Sequence, residues 1–325
     1  MESQKEHPQS YLPYSPHSQQ PAGDEIDFRE LFGALWKGKW IIIATTFIFA
    51  VGAVLYALSL PNIYKSDALL APAESSGGGG ISKMAGQLGG LAALAGVNLG
   101  AGQSSQTDLA VQVMKSRQFA EAFINKHDLL VPLMAAKDWD LVDNKLILDE
   151  KLYNSSTGKW LREAQGLRGS EPSKQEAFQV FKEILNVSQD TESGLYTVSV
   201  EHYSPYVAQQ WVNWLINDIN KVMRERIIAE TSQNLAYLNA QLQKTAVADM
   251  QSAFYKLIEE QTKSLMLAEV QEEFIFKVVD PAIAPEVKNS PNRALICVLG
   301  TLFGGMLGVA IVLVLFAFRK QDIDD

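Results

Sequence analysis

Residues 280–325 read DPAIAPEVKNSPNRALICVLGTLFGGMLGVAIVLVLFAFRKQDIDD. Inside this stretch, Ala294–Phe318 is a run of 25 residues without a charge. As a helix rising 1.5 Å per residue it is about 38 Å long, enough to cross a hydrocarbon core with some tilt. Pro281, Pro285 and Pro291 crowd its approach, and only seven residues follow it. A second run, Trp40–Leu60, has 21 residues without a charge, about 32 Å as a helix. Charge-free stretches this long are rare in soluble cores, so the pair sets the fold class: a membrane protein with two transmembrane helices. A secretion signal does not fit the first run. It begins 39 residues into the chain, follows the acidic stretch DEIDFRE, and is longer than a signal's apolar region.

The flanks give an orientation. Lys37 and Lys39 precede the first run, and Arg319 and Lys320 follow the second. Cytoplasmic flanks carry the excess of Lys and Arg, and long loops translocate largely regardless of charge. Both termini are therefore expected in the cytoplasm, with residues 61–293 outside it, in the periplasm of a bacterium. The 325-residue chain has a net charge of −9 and a single cysteine, Cys297, inside the second run. That composition excludes a disulfide framework and a cysteine-based zinc site. It also argues against a nucleic-acid binder, which would show a basic patch or stripe.

Residues 1–39 are expected to be a cytoplasmic tail, disordered over 1–22. Asp27–Lys37 is expected to be a short surface helix, with Phe28, Leu31, Leu35 and Trp36 towards lipid. Pro61–Ala71 reads as a strand. The Gly-rich segment 75–102 does not match a phosphate loop, because Lys83 has no Gly before it and Met84 after it. It reads as a flexible loop with a small Gly/Ala/Leu helix. Leu88, Leu91, Leu94 and Leu99 suggest packing near the membrane or within an oligomer.

Thr107–Asp128 reads as one helix capped by Thr107, and Trp139 and Trp160 as anchors of a less regular region. Ser173 and Glu176 form a capping box that opens a further helix. Tyr196, Val198 and Val200 alternate with polar residues, as in a half-buried strand. Ser204 and Pro205 then open a very long helix: from Tyr206 to Asp280 there are 75 residues without Gly or Pro. The pattern weakens near Lys244–Asp249, which predicts a helical arm over about 205–273, made of one helix of about 40 residues and a returning helix. The strand Phe274–Asp280 closes the domain, with Phe274, Phe276 and Val278 on one face. The whole is an α+β membrane protein: two transmembrane helices flanking a mixed α/β periplasmic domain. A lone arm would expose its apolar stripe, so an oligomer is expected.

No catalytic constellation emerges. His7 and His17 lie in the tail, while His127 and His202 stand alone without ligand spacing. Glu259, Glu260, Glu272 and Glu273 read as a solvated helix face. No enzyme activity, cofactor or metal is expected. The informative residues are Gly300, Gly304 and Gly308, which repeat every fourth position and let helices approach closely, in line with Ala294 and Ala310. The three prolines bias the residues before them towards extended backbone, making a stiff strut without helix.

Two stretches near the C-terminus, LIEEQTKSLMLAEVQEEFIFKVVDPAIAP (257–285) and SPNRALICVLGTLFGGMLG (290–308), carry a resemblance. So do KSRQFAEAFI (115–124) and KDWD (137–140). Together with the two-span plan, the chain resembles the Wzz-type chain-length determinants, polysaccharide co-polymerases of Gram-negative inner membranes. The resemblance implies a ring-shaped homo-oligomer, commonly octameric. It implies an inner-membrane O-antigen polymerase and an undecaprenyl-diphosphate-linked polysaccharide as partners, with membrane lipids around the spans. The family's proline-rich segment falls on Pro281, Pro285 and Pro291, and its transmembrane glycines on Gly304, Gly305 and Gly308. The function implied is control of the modal length of lipopolysaccharide O-antigen by a non-enzymatic scaffold. The alternative is a co-polymerase for capsule, exopolysaccharide or enterobacterial common antigen, working with a separate kinase or export partner. A fused kinase is not expected after residues 319–325.

Overall fold

The computed structural model describes residues 28–73, 104–166, 168–244 and 248–324. The tail 1–22 and the Gly-rich segment 75–102 lie outside the described residues. The chain divides into two compact units, one made of residues 1–59 and 293–325, the other of 60–292.

The first unit holds three helices: α1 (Phe28–Lys37), α2 (Lys39–Ser59) and a C-terminal helix, Arg293–Asp324. The segments Lys39–Ser59 and Arg293–Phe318 are long and apolar enough to cross a membrane. On α1 the exposed aromatics are Phe32 and Trp36, whose rings stack 6.4 Å apart, while Leu35 is half-buried. Of the expected lipid-facing set, Trp36 is exposed and Leu35 is not fully so; Phe32, outside that set, shares the Trp36 face four residues away.

The second unit is built on a four-stranded antiparallel sheet in the order β6–β7–β1–β8. Its strands are β1 (Tyr64–Pro72), β6 (Leu185–Gln189), β7 (Tyr196–His202) and β8 (Phe276–Asp280). Alternation decides which face is buried. On β1, Ser66, Ala68 and Leu70 are buried and Asp67 is exposed; on β7, Tyr196, Val198 and Val200 are buried. The strand expected over Phe274–Asp280 begins at Phe276, so Phe274 precedes it; Phe274 and Phe276 are buried while Val278 is 37% exposed. The cause is position: β8 is an edge strand, and burial ends at Phe276.

Several helices cover the sheet. The segment expected as one helix over 107–128 is two: α3 (Ser104–Met114) and α4 (Arg117–Lys126). Thr107 lies inside α3 rather than capping it. The break comes at Ser116, whose extended backbone and side chain, accepting from the Phe119 N–H, start a new helix. After α5 (Leu130–Met134), the irregular region resolves into two hairpins, β2–β3 (Ala136–Asp140, Lys145–Leu148) and β4–β5 (Tyr153–Asn154, Lys159–Trp160). Trp139 and Trp160 sit half-buried on these hairpins, and the buried tryptophan of the core is Trp211. Helix α6 (Lys174–Ile184) opens with the expected capping box at Ser173 and Glu176.

The long helix is α7 (Pro205–Lys244), 40 residues and about 60 Å at 1.5 Å per residue. Ser204 accepts from the Val207 N–H at its start. Helix α8 (Ala248–Val270) returns alongside it. The first half of α7 contributes Trp211, Val212, Leu215, Ile216, Ile219 and Met223 to the core. Ile227 and Ile228 still pack against that core; further along the arm Leu235, Leu238 and Leu242 are half-buried, and Tyr237, Tyr255 and Met266 are exposed.

Candidate functional site: the paired apolar helices and the foot of the arm

The C-terminal helix, here α9 (Arg293–Asp324), packs against α2. The glycines place the contact. A methyl group on Gly300 would stand 2.4 Å from Ala53 Cβ, and one on Gly304 2.6 Å from Phe49 Cβ and 3.2 Å from Thr46 Cα. On Gly308 it would stand 2.3 Å from Thr45 Oγ1 and 3.0 Å from Ile42 Cα. These separations are shorter than carbon–carbon contact at about 3.5–4.0 Å, so the missing side chains are what allow the approach. Gly305 is different: its methyl would meet only Thr46 Oγ1, at 3.6 Å, an ordinary contact.

Ala294 and Ala310, expected to lengthen the small-residue stripe, are exposed. The buried line on α9 runs Gly304, Gly308, Val312. Val312 in turn meets Gly38, at the junction of α1 and α2, where a methyl would lie 2.5 Å from Val312 Cγ1. Gly38 was not singled out in the sequence. Its signal is a glycine placed between two consecutive helices. Polar groups in the pair bond internally, as an apolar setting requires: Thr45 and Thr46 donate to the Ile42 carbonyl, Thr45 also to Ile41, and Arg293 Nε donates to the Ala57 carbonyl at 3.0 Å.

In the second unit the proline segment is latched rather than free. Gln209 Nε2 donates to the Ala282 carbonyl at 2.9 Å, and Ser66 Oγ to the Ile283 carbonyl at 2.7 Å. Ile63 exchanges backbone hydrogen bonds with Ser290, and Asn289 Nδ2 donates to Glu201 Oε1. Pro285 lies between these anchor points, while Pro281 stands just before the first and Pro291 just after the last, all three in backbone without helix. Such prolines hold φ fixed and donate nothing, so the hydrogen bonds come from their neighbours.

The foot of the arm is held by residues the sequence did not mark. Buried Asn220 accepts from the N–H groups of Ile275 and Phe276, each at 2.9 Å, and donates to the Phe276 carbonyl at 3.0 Å. One side chain thus satisfies the backbone where the returning arm enters β8. His127 does not stand alone: its Nε2 lies 2.9 Å from Asp218 Oδ2 and its ring stacks 4.2 Å from Trp214. Lys126 binds the other oxygen of Asp218. His202 is buried, with Nε2 3.1 Å from the Pro132 carbonyl and Nδ1 accepting from the Ser204 N–H. Burial lowers its pKa, which keeps the ring neutral. Elsewhere Arg162 grips Glu176 through two 2.8 Å bonds and holds that carboxyl down to about 2. These groups have their partners in the fold. Among the described residues no three His, Cys, Asp or Glu side chains gather as a metal site.

Comparison with known proteins follows the same division. Residues 24–127 match the family model of the chain length determinant protein, Wzz. That match covers about a third of the chain. The matched segment takes in α1, α2, β1, α3 and α4. Residues 238–317 match a second family model, GNVR, described as a "G-rich domain on putative tyrosine kinase". That match contains all seven residues singled out at the C-terminus, Pro281, Pro285, Pro291, Gly300, Gly304, Gly305 and Gly308. Over 54 residues the chain is 39% identical to the tyrosine-protein kinase wzc of Salmonella typhi, and equally to that of Salmonella typhimurium strain LT2. The match spans 17% of this chain and 8% of the length of those kinases. Among solved structures, a full-length bacterial polysaccharide co-polymerase aligns over 90% of this chain and 99% of its own, at 15% identity and TM-score 0.41. A fragment of WzzB, a polysaccharide co-polymerase from Salmonella Typhimurium, aligns over 70% of this chain and all of its own, at 12% identity and TM-score 0.34. The resemblance to Wzz-type co-polymerases thus rests on the Wzz domain.

Proposed function

We infer that this chain sets the modal length of a lipid-linked surface polysaccharide, most directly lipopolysaccharide O-antigen, as an oligomeric scaffold in a bacterial inner membrane. The observation that carries the reading is the Wzz match at residues 24–127, joined to two apolar helices that bracket a 233-residue unit. In this reading both termini are cytoplasmic and residues 60–292 stand in the periplasm. The protein forms no bond itself. It assembles as a ring, of about eight copies by family resemblance, and positions the inner-membrane polymerase and the undecaprenyl-diphosphate-linked chain. The glycine-faced helix pair keeps each subunit's spans in register, and the latched proline segment closes the periplasmic unit. Deleting the gene should turn a clustered modal band set on a lipopolysaccharide gel into a featureless spread of short chains. An unchanged ladder counts against the reading.

A second reading has its own support. The GNVR match and the local identity to wzc kinases favour a capsule or exopolysaccharide co-polymerase that works with a tyrosine kinase. Purification of the intact protein from its host separates the two. Recovery of a stoichiometric kinase, with loss of capsule rather than of O-antigen banding on deletion, favours the second.

A further inference from the structure

The β2–β3 hairpin carries an anomaly at its tip. Residues 141 and 142 are Leu and Val, and they are 75% and 90% exposed. Turn positions usually hold Gly, Asn, Asp or Ser, for reasons of backbone geometry. Here the geometry is already supplied by the flanking residues. Asp140 Oδ1 accepts from the N–H groups of Val142 (2.8 Å) and Asp143 (3.4 Å). Asn144 takes the left-handed conformation, φ 50°, and accepts from the Trp139 indole N–H at 2.9 Å. The fold therefore makes no demand on the side chains at 141 and 142, yet both are apolar and both point away from the core.

The place of the hairpin in its unit suggests what they meet. The Trp139 ring lies edge-on to Tyr64, 5.7 Å away, and to Tyr206, 6.0 Å away. Tyr64 is four residues from Leu60, where the unit begins, and Ile63 is bridged to Ser290, two residues before the unit ends at Asn292. Both ends of the unit's chain therefore leave beside the start of β1, at one end of the sheet, and the hairpin stands beside that end. At about 3.3 Å per residue, Val142 is within roughly 10 Å of Trp139. The proline segment, bonded to Ser66 and Ile63 at the start of β1, exposes two further large apolar side chains, Ile283 and Val287. Trp and Tyr with an apolar rim, next to the points where the chain leaves the unit, are what a membrane–water interface selects.

We propose that the β2–β3 hairpin is a lipid-contacting tip, with Leu141 and Val142 inserted into the interfacial layer of the bilayer that α2 and α9 cross. The proposal rests on the reading of those two helices as membrane spans. Two carboxylates flank the tip: Asp140 is turned onto the Val142 and Asp143 N–H groups, and Asp143 lies 3.7 Å from Lys145, a cation that suits a phospholipid surface. The contact is a shallow one, made by two side chains, and it braces the unit against the membrane independently of the covalent connections.

The test uses the full chain with Cys297→Ser, reconstituted in liposomes of phosphatidylethanolamine and phosphatidylglycerol. A polarity-sensitive fluorophore is attached through Val142→Cys, and in separate samples through Ser156→Cys on the exposed β4–β5 turn and Phe303→Cys on α9. Quenching by nitroxide lipids and by aqueous iodide is read at each site. The expected result is strong lipid quenching at 303, only background quenching at 156, and at 142 several-fold more than that background, with reduced iodide access. Adding Leu141→Asp should return site 142 to the behaviour of site 156. If 303 is quenched and 142 behaves like 156, the hairpin proposal fails and the spans stand. If 142 is shielded from both quenchers, a protein covers the tip and the lipid assignment is overturned. If 303 itself escapes lipid quenching, the span reading falls and the proposal with it.

Discussion

Replacing Gly308 by Ala adds one methyl group, and the structure says what it strikes. The new carbon would stand 3.0 Å from Ile42 Cα and 2.3 Å from Thr45 Oγ1. Thr45 cannot swing aside freely, because its hydroxyl is bonded to the Ile41 and Ile42 carbonyls. Restoring carbon–carbon contact at about 3.5–4.0 Å requires α2 and α9 to part by about 0.5–1 Å. Overpacking of this kind costs about 1–3 kcal/mol, which is roughly 5- to 150-fold in the population of the closed pair. A reporter disulfide reads that population. Gly305 and Thr46 face each other, with a built Cβ 3.6 Å from Oγ1, and are suited to a Thr46→Cys, Gly305→Cys pair in a Cys297→Ser background. The rate of disulfide formation under mild oxidant should fall about tenfold or more on adding Gly308→Ala. Gly52→Ala is the control, since a methyl there meets nothing within 4 Å. Equal rates for Gly308→Ala and Gly52→Ala would refute the claim that Gly308 sets the helix separation.

Three further outcomes are expected from the second unit. Asn220→Ala leaves two buried N–H groups and a carbonyl without partners at Ile275 and Phe276. It should cost about 3–5 kcal/mol in denaturant unfolding of the detergent-solubilised protein, and a loss below about 1 would contradict the bracing role. Glu176 is held at about 2 by Arg162 and the Ser173 N–H, so it binds fewer protons folded than unfolded. Its share of stability is complete above the ordinary carboxylate value of about 4.3 and drains as pH falls towards 2; Glu176→Gln should flatten thermal melts across that window. His202 is kept neutral by burial, so the unfolded chain takes up its proton first. Stability should decline as pH falls below about 6.5, and His202→Gln should remove that part of the decline.

Much of the architecture was written in local pattern. The absence of Gly and Pro after Pro205, with apolar positions at helical spacing, revealed α7 and its return as α8. Alternation at Tyr196, Val198 and Val200 revealed β7, and Ser173 with Glu176 revealed the start of α6. The break at Ser116 was harder, because KSRQF keeps a helix-like composition and only the capping bond marks it. The two hairpins of 136–160 were missed because their strands are short and half-buried, with no clean alternation to read. Edge position made Val278 exposed, and strand order is a long-range property that no window contains. At the candidate site, Gly300, Gly304 and Gly308 were legible as a repeat, since close helix packing needs small residues every turn. Their partners Ala53, Phe49 and Ile42 were not, because α2 carries no glycine stripe of its own. Asn220 and Asp218 act across 55 and 91 residues of chain, and nothing in their neighbourhoods distinguishes them from other polar residues on a long helix.

The central claim is that this chain governs how long a surface polysaccharide grows. The most direct measurement is a quantified gel of lipopolysaccharide and capsule, side by side, from the host lacking the gene and from the same strain with it restored. The account predicts that modal banding of the lipopolysaccharide disappears on deletion and returns at the same length on restoration, with capsule amount unchanged. An unaltered lipopolysaccharide ladder in both strains would contradict it.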